Sequence, residues 1–192
     1  MYIANAEIDY KTDMIYGETF AMALDSKENF ASITISNLGE YSAKNCELVW
    51  NEKNLQKNIS SLKTKGNLDV YETGFSFEIS KNAKLLNVIE ENSLEPEVCD
   101  YILPITQYSY PIEIKVPVPY LEIIDLYSLS KEYNQKVSGF YEEKNDEYNI
   151  FFKFLLRYQD IHGNEYVKKY RIDVVSEGPI RGYYKLNVVE EL

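Results

Sequence analysis

Residues 148–175 restrict this chain more than any other stretch. In the first half, Tyr148, Ile150, Phe152, Phe154, Leu156 and Tyr158 occupy every second position. In the second half Tyr166, Tyr170, Ile172 and Val174 share the same parity. A period of two puts such residues on one face of a strand, because successive side chains leave the pleat on opposite sides. Between the halves lies Asp160-Ile161-His162-Gly163-Asn164, with Gly and Asn where a reversal needs positive φ. The pattern predicts a β-hairpin. If Tyr158 opposes Tyr166, then Leu155 opposes Lys169 and Lys153 opposes Arg171, since paired positions sum to a constant. Lys153, Arg157, Lys169 and Arg171 then share the face opposite the aromatic one. Lys168 falls on the aromatic face in this register, so either its stem snorkels out at a sandwich edge or the register is wrong.

The rest of the chain supports a β reading. It has 192 residues, with 18 Tyr and 8 Phe. Tyr suits half-buried pleated surfaces, its ring inside and its hydroxyl near water. So much aromatic content argues against disorder, and the length suits one sizeable core. The pattern also predicts strands at 2–10, 30–36, 43–50, 68–80 with Gly74 as a bulge, and 183–189; 15–24 is a further strand candidate whose Ala21, Met22 and Ala23 would also suit a helix. In 43–50, Cys46, Leu48 and Trp50 share a face, with Trp50 as core. Turns are expected at 26–29, 66–67 and 176–179. Residues 83–101 are ambiguous and include an acidic loop. Pro104 and Pro111 confine the extended pieces beside them to edges or bulges.

Two helices are expected in connections. In 51–65, Leu55, Ile59 and Leu62 repeat by four and three, which suits a short helix packed over a sheet edge or end. Pro117-Val118-Pro119 opens a second, with Tyr120, Ile123, Ile124 and Tyr127 on its apolar face, running to Tyr133. A polar connection follows at 137–147. No repeat or linker divides the chain, so a single domain over 1–192 is expected.

Several chemistries are set aside by composition. The formal net charge is −11, from 20 basic and 31 acidic residues. Residues 151–192 hold seven of the basic and six of the acidic ones, so the preceding 150 carry 13 and 25. An acidic chain is a poor ligand for duplex nucleic acid, whose binding rests on phosphate neutralisation. A small anion in a local basic pocket remains compatible. The single histidine, His162, rules out a two-histidine metal site, and beside Asp160 and Gly163 it reads as a turn residue. There is no glycine-rich phosphate cradle. An enzyme is not expected, nor a cofactor or metal. Cys46 and Cys99 lack CxxC spacing and read as free core thiols in a reducing compartment. Asn58-Ile59-Ser60 fits a glycosylation acceptor, but no secretory signal accompanies it. No apolar run reaches membrane-spanning length, which predicts a soluble polypeptide.

Two stretches carry a resemblance. Ile33-Thr34-Ile35-Ser36-Asn37-Leu38-Gly39 with Ser42-Ala43-Lys44-Asn45-Cys46 is similar to the I-x-N-x-G-x-x-x-A-x-N-V pattern of immunoglobulin-like β-sandwiches in bacterial proteins, Cys46 standing where Val is usual. Tyr158 to Tyr166 resembles the Y-x-D-x-x-G-x-x-Y hairpin of the same proteins. One group with this layout is the two-transmembrane-plus-β effectors of bacterial anti-phage defence. Strand count, turn spacing and the two hairpin-like stretches predict an all-β, antiparallel sandwich with one or two short connecting helices, and the resemblance implies that it is immunoglobulin-like. It further implies a cytoplasmic sensor of a cyclic di- or oligonucleotide, tethered to the inner membrane by segments absent from this chain and controlling that anchor. Neither stretch carries a catalytic residue. The expected anion contacts come from the hairpin pattern: Lys153, Arg157, Lys169 and Arg171, with Arg suited to bidentate phosphate binding. The alternative is a protein-interaction or scaffolding sandwich, using Tyr-rich edges for a partner or for self-association.

Overall fold

Period-two and helical patterns alternate along the chain, and the computed structural model follows them. It describes residues 1–3, 7–11, 31–65, 68–73, 76–81, 84–90, 94, 97–104, 111–138, 150–176 and 183–192. The elements are β1 (Tyr2–Ile3), β2 (Glu7–Lys11), β3 (Ser32–Ser36), β4 (Ala43–Trp50), α1 (Glu52–Lys65), β5 (Asp69–Thr73), β6 (Ser76–Lys81) and β7 (Lys84–Glu90). There follow β8 (Glu97–Ile102), β9 (Ile112–Lys115), α2 (Val118–Ser138), β10 (Phe151–Gln159), β11 (Glu165–Ser176) and β12 (Tyr183–Glu191).

The architecture is mainly antiparallel β, as expected of a sandwich. The main sheet has six strands in the order β2-β12-β11-β10-β4-β8. Two three-stranded sheets accompany it, β1-β3-β9 and β5-β6-β7. The buried hydrophobics of all three sheets and both helices form one core cluster. The predicted hairpin is the centre of the main sheet. Its register is the expected one: Tyr158 pairs Tyr166, Leu155 pairs Lys169 and Lys153 pairs Arg171. Phe152, Phe154, Leu156, Tyr170 and Ile172 are buried on the inner face beside Leu48 and Trp50 of β4. Lys168 shares that face and snorkels as expected: its Nζ lies 2.9 Å from Glu190 Oε1 on β12.

A block of rings fills the middle. The centroids of Trp50 and Phe154 are 5.0 Å apart, those of Trp50 and Tyr120 are 5.1 Å, and those of Tyr120 and Phe152 are 4.5 Å. Phe154 stacks on Tyr170 at 5.2 Å. Tyr120 comes from the first turn of α2, so the rings join that helix to the sheet. The Tyr120 hydroxyl donates to Asn51 O at 3.1 Å, and burial pushes its pKa well above the ordinary phenol range.

The predicted first helix has a more specific job than covering an end. Strand β4 stops at Trp50, and Asn51 caps α1: its Oδ1 accepts the Asn54 N–H at 3.0 Å. Beyond that point β10 has no strand beside it on the β4 side. Helix α1 takes over the ladder. The Asn51 N–H donates to Lys153 O at 2.9 Å, and Asn54 Oδ1 accepts the Lys153 N–H at 3.1 Å. One helical turn on, Asn58 Nδ2 donates to Phe151 O at 2.8 Å. Asn54 and Asn58 are buried, as are Leu55, Ile59 and Leu62 of the same helix. The apparent glycosylation acceptor is therefore an interior amide.

Other expectations are corrected. The single strand at 2–10 is two strands in different sheets: β1 pairs with β3, and β2 with β12. The strand at 68–80 is the hairpin β5–β6, and Gly74, expected as a bulge, lies outside the described residues. Thr73 opposes Ser76 and their hydroxyls lie 2.9 Å apart, closing a two-residue connection. A bulge falls instead in β4, where Asn45 has φ 47° and the register against β10 shifts. Helix α2 runs to Ser138, beyond Tyr133. The ambiguous 83–101 region yields β7 and β8, and β8 and β9 are edge strands, in keeping with the prolines beside them. Cys46 and Cys99 are free, as expected, but only Cys46 is in the buried core; Cys99 is partly exposed on an edge strand, and the two lie directly opposite each other on β4 and β8. The strand candidate at 15–24, the turns at 26–29, 66–67 and 177–179, the connection at 139–147, and Tyr148 lie outside the described residues.

The helix-borne ladder makes an asymmetric prediction. Asn54 acts as an acceptor and Asn58 as a donor, so Asp can replace the first function and not the second. Urea unfolding should find Asn58→Asp more destabilising than Asn54→Asp, by about 1–3 kcal/mol, the usual cost of a buried polar group left without its partner. Equal costs would show that α1 does not continue the ladder in this way.

Candidate functional site

The outward face of the main sheet is built by the odd positions of β10 and β11. The four predicted anion contacts are all on it. Lys153 and Arg157 belong to β10, and Lys169 and Arg171 to β11. Three of them have carboxylate partners. Lys153 Nζ donates to Glu191, with contacts of 2.6 and 2.9 Å. Arg157 Nη1 lies 3.4 Å from Glu47 Oε2, and Arg171 Nη2 donates to Asp173 Oδ2 at 2.9 Å. Lys169 is exposed and makes no ion pair among the described residues. It faces Glu191 across β11 and β12.

Two residues that the hairpin pattern did not flag belong to the same place. Phe151 starts β10 on the outward face, half-buried, with three cations around its ring. Lys153 Nζ is 5.7 Å from the centroid, Lys57 Nζ 5.8 Å and Arg171 Cζ 5.9 Å. These are cation–π distances, in which the negative ring face attracts positive charge. Lys57 arrives from α1, brought over Phe151 by the same helical turn that seats Asn54 and Asn58. The only local signal was the pair of Asn residues at i and i+4, poor helix formers that need a reason to be in a helix. Among the described residues the five cations meet three carboxylates, which leaves this part of the face net positive within an acidic chain.

The motif residues have structural roles. Asn37 is buried; its Nδ2 donates to Tyr41 O at 2.8 Å and to Ile102 O at 3.0 Å, and its Oδ1 accepts the Gly39 N–H. A Cβ on Gly39 would come within 3.1 Å of that Oδ1. In the hairpin loop Asp160 accepts the backbone N–H groups of His162 and Asn164, the Asn164 amide and the Tyr166 hydroxyl. Gly163 has φ 84°, and Tyr158 stacks on Tyr166 at 5.2 Å. His162 therefore occupies a turn whose neighbouring carboxylate is saturated by loop donors.

Asn37 also gathers an exposed apolar corner. It ties the β3–β4 loop to the end of β8 and forms a bridge to Pro104. Leu38, Tyr41, Tyr101 and Leu103 lie beside these ties and are 58–67% exposed.

No protein-family model, curated protein or solved structure matches this chain. Among the described residues, no helix is long and apolar enough to cross a membrane, and no group of three or more His, Cys, Asp or Glu is placed to hold a metal.

The loop contacts of Asp160 predict a pH dependence. The Asn164 amide is the largest of several donors that together lower its pKa from 3.8 to about 2. The folded value is depressed, so the stabilisation is fully present above the ordinary value. It is lost as pH falls from 3.8 towards 2. Carboxyl-detected NMR should give Asp160 a midpoint near 2. An unshifted midpoint would mean the loop donors do not engage it.

Proposed function

We propose that this domain is a non-enzymatic sensor of a small, phosphate-bearing ligand, with a cyclic di- or oligonucleotide as the lead candidate. The observation that carries this reading is the cluster around Phe151, where Lys57, Lys153 and Arg171 surround one ring, with Lys169 on the same face and in no ion pair among the described residues. A phosphate needs several cations to offset its desolvation, and Arg can meet it with two parallel bonds. The existing carboxylate partners do not preclude this. These pairs are partly exposed, with side chains 27–50% accessible, and solvent screening keeps such pairs weak enough for a multiply charged anion to displace them. Tyr and Phe side chains are the surfaces on which bases stack. The resemblance to bacterial defence effectors extends the proposal to control of a membrane anchor in a longer protein.

A thermal-shift panel of cyclic nucleotides tests the ligand. At 100 times its Kd a true ligand adds about 2.7 kcal/mol of stability. Lys57 and Lys169 are the informative positions, since reversing Arg157 or Arg171 would also set like charges against Glu47 or Asp173. Lys57→Ala with Lys169→Ala should change stability by no more than about 0.5 kcal/mol. It should weaken binding roughly tenfold or more, as two charge-assisted contacts are removed. An unchanged affinity would move the site away from Phe151.

A second reading has its own support. The corner of Leu38, Tyr41, Tyr101 and Leu103 is an exposed apolar cluster at the end of an edge strand, which suits docking of another protein. Light scattering and pulldown separate the two. A partner retained at high salt and lost with Tyr41→Ser and Leu103→Ser, without any nucleotide effect, favours docking over sensing.

A further inference from the structure

Helix α1 and the sheet β5-β6-β7 leave the main sheet after β4 and return to it at β8, which is the strand beside β4. The two ends of this excursion are therefore hydrogen-bonded neighbours. Cys46 and Cys99 sit there as direct cross-strand partners. Opposed residues of an antiparallel pair have Cα atoms about 4.5 or 5.5 Å apart, and disulfides span about 4.4–6.8 Å. The backbone already meets the distance a bridge requires.

The two thiols differ in access. Cys46 is buried at 3% exposure, with its Sγ 3.7 Å from Met1 Sδ. Burial, and then the neighbouring Cys99, push its pKa up to about 11, so it rarely ionises on its own. Cys99 is half-buried on the edge strand, its Sγ donating to Tyr101 O at 3.4 Å. Flanking Val98 and Asp100 are exposed. A small oxidant reaches Cys99 first.

We propose that Cys46 and Cys99 form a thiol–disulfide site, converted by a low-molecular-weight disulfide such as glutathione disulfide into an intramolecular bridge across the base of the α1/β5–β7 excursion. The Cys99 thiolate attacks one sulfur of the oxidant, breaks its S–S bond and releases one glutathione thiolate. The resulting mixed disulfide holds its Cys99 sulfur beside Cys46. Cys46 loses its proton to the released thiolate and attacks that sulfur, expelling the second glutathione. Two protein thiols are oxidised and one glutathione disulfide is reduced to two thiols, so no further oxidant is needed. The bridge fastens edge strand β8 to β4 and joins both ends of the excursion, which restricts the unfolded chain between positions 46 and 99. A reducing environment reverses it by the same exchange.

The test uses the reduced 192-residue chain, equilibrated with glutathione disulfide, acid-quenched and treated with a polymer-tagged maleimide. The expected product is a monomer with both thiols protected and an intact mass lower by two hydrogens. Peptide mapping joins the Cys46 and Cys99 peptides, and the melting temperature rises by several degrees. Cys46→Ser should leave Cys99 as a stable glutathione adduct. Cys99→Ser should leave Cys46 unmodified while the protein is folded. The proposal is overturned if folded parent protein keeps both thiols taggable, stops at an adduct on Cys99, or links only between chains. Should Cys46→Ser fail to fold, the parent peptide map and the Cys99→Ser result decide alone.

Discussion

The whole arrangement depends on the ring block at the centre of the main sheet. Phe152 and Phe154 enter it from β10, Trp50 from β4, Tyr170 from β11 and Tyr120 from α2, with centroids 4.5–5.2 Å apart along the chain of contacts. Each ring pair adds about 0.5–1.5 kcal/mol beyond the area it buries. More important is what the block forces on its neighbours. Tyr120, one of its rings, bonds Asn51 O at the point where β4 ends and Asn51 caps α1. Residues 151–153 of β10, which β4 leaves unpaired, are completed by α1, through the Asn51 N–H and the Asn54 and Asn58 amides. The same helix then carries Lys57 out to Phe151. Packing on the inner face thus decides which cations meet on the outer one.

The hairpin was legible because every signal in it is local. Period-two alternation gives the faces, and Asp160, Gly163 and Asn164 give the reversal, so the register follows from adding positions. The β4 bulge was not legible. Asn45 adopts a left-handed conformation because the register against β10 shifts there, and its amide reaches Gln159 at 2.8 Å, more than a hundred positions away. The β5–β6 reversal was missed for a different reason. Thr73-Gly74-Phe75-Ser76 carries glycine at the first position of a two-residue connection, a hairpin signal, but it sits in a run that also reads as one strand. At the N-terminus nothing local distinguishes one strand from two that pair in separate sheets.

The candidate site shows the same division. The cations' common face came from parity alone. Their partners could not be read that way, because Glu47 and Glu191 belong to β4 and β12 and approach only through sheet order. Asp173, two positions from Arg171, was the one neighbour within reach of the pattern. Lys57 needed both the position of α1 and its rotation, which Asn54 and Asn58 set by bonding to β10. A charge count over a segment therefore overstates how many cations are unpaired, while it misses one delivered from a distant element.

The two motifs that suggested a family act on backbone. Asn37 stitches the β3–β4 loop to β8, and Gly39 is small because a Cβ would crowd the Asn37 oxygen. Asp160 accepts from His162, Asn164 and Tyr166, and Gly163 adopts the positive φ that the turn requires. Residues spent in this way specify loops that many sandwiches can share, so they carry information about architecture and little about ligand. Ligand chemistry must be sought where side chains are not committed to the backbone. In this protein that means the outward face around Phe151, whose cations bond side chains rather than backbone, and the apolar corner that Asn37 supports without covering. The first favours an anion and the second a protein surface, and they lie on different parts of the fold. A substitution at one can therefore be read without disturbing the other.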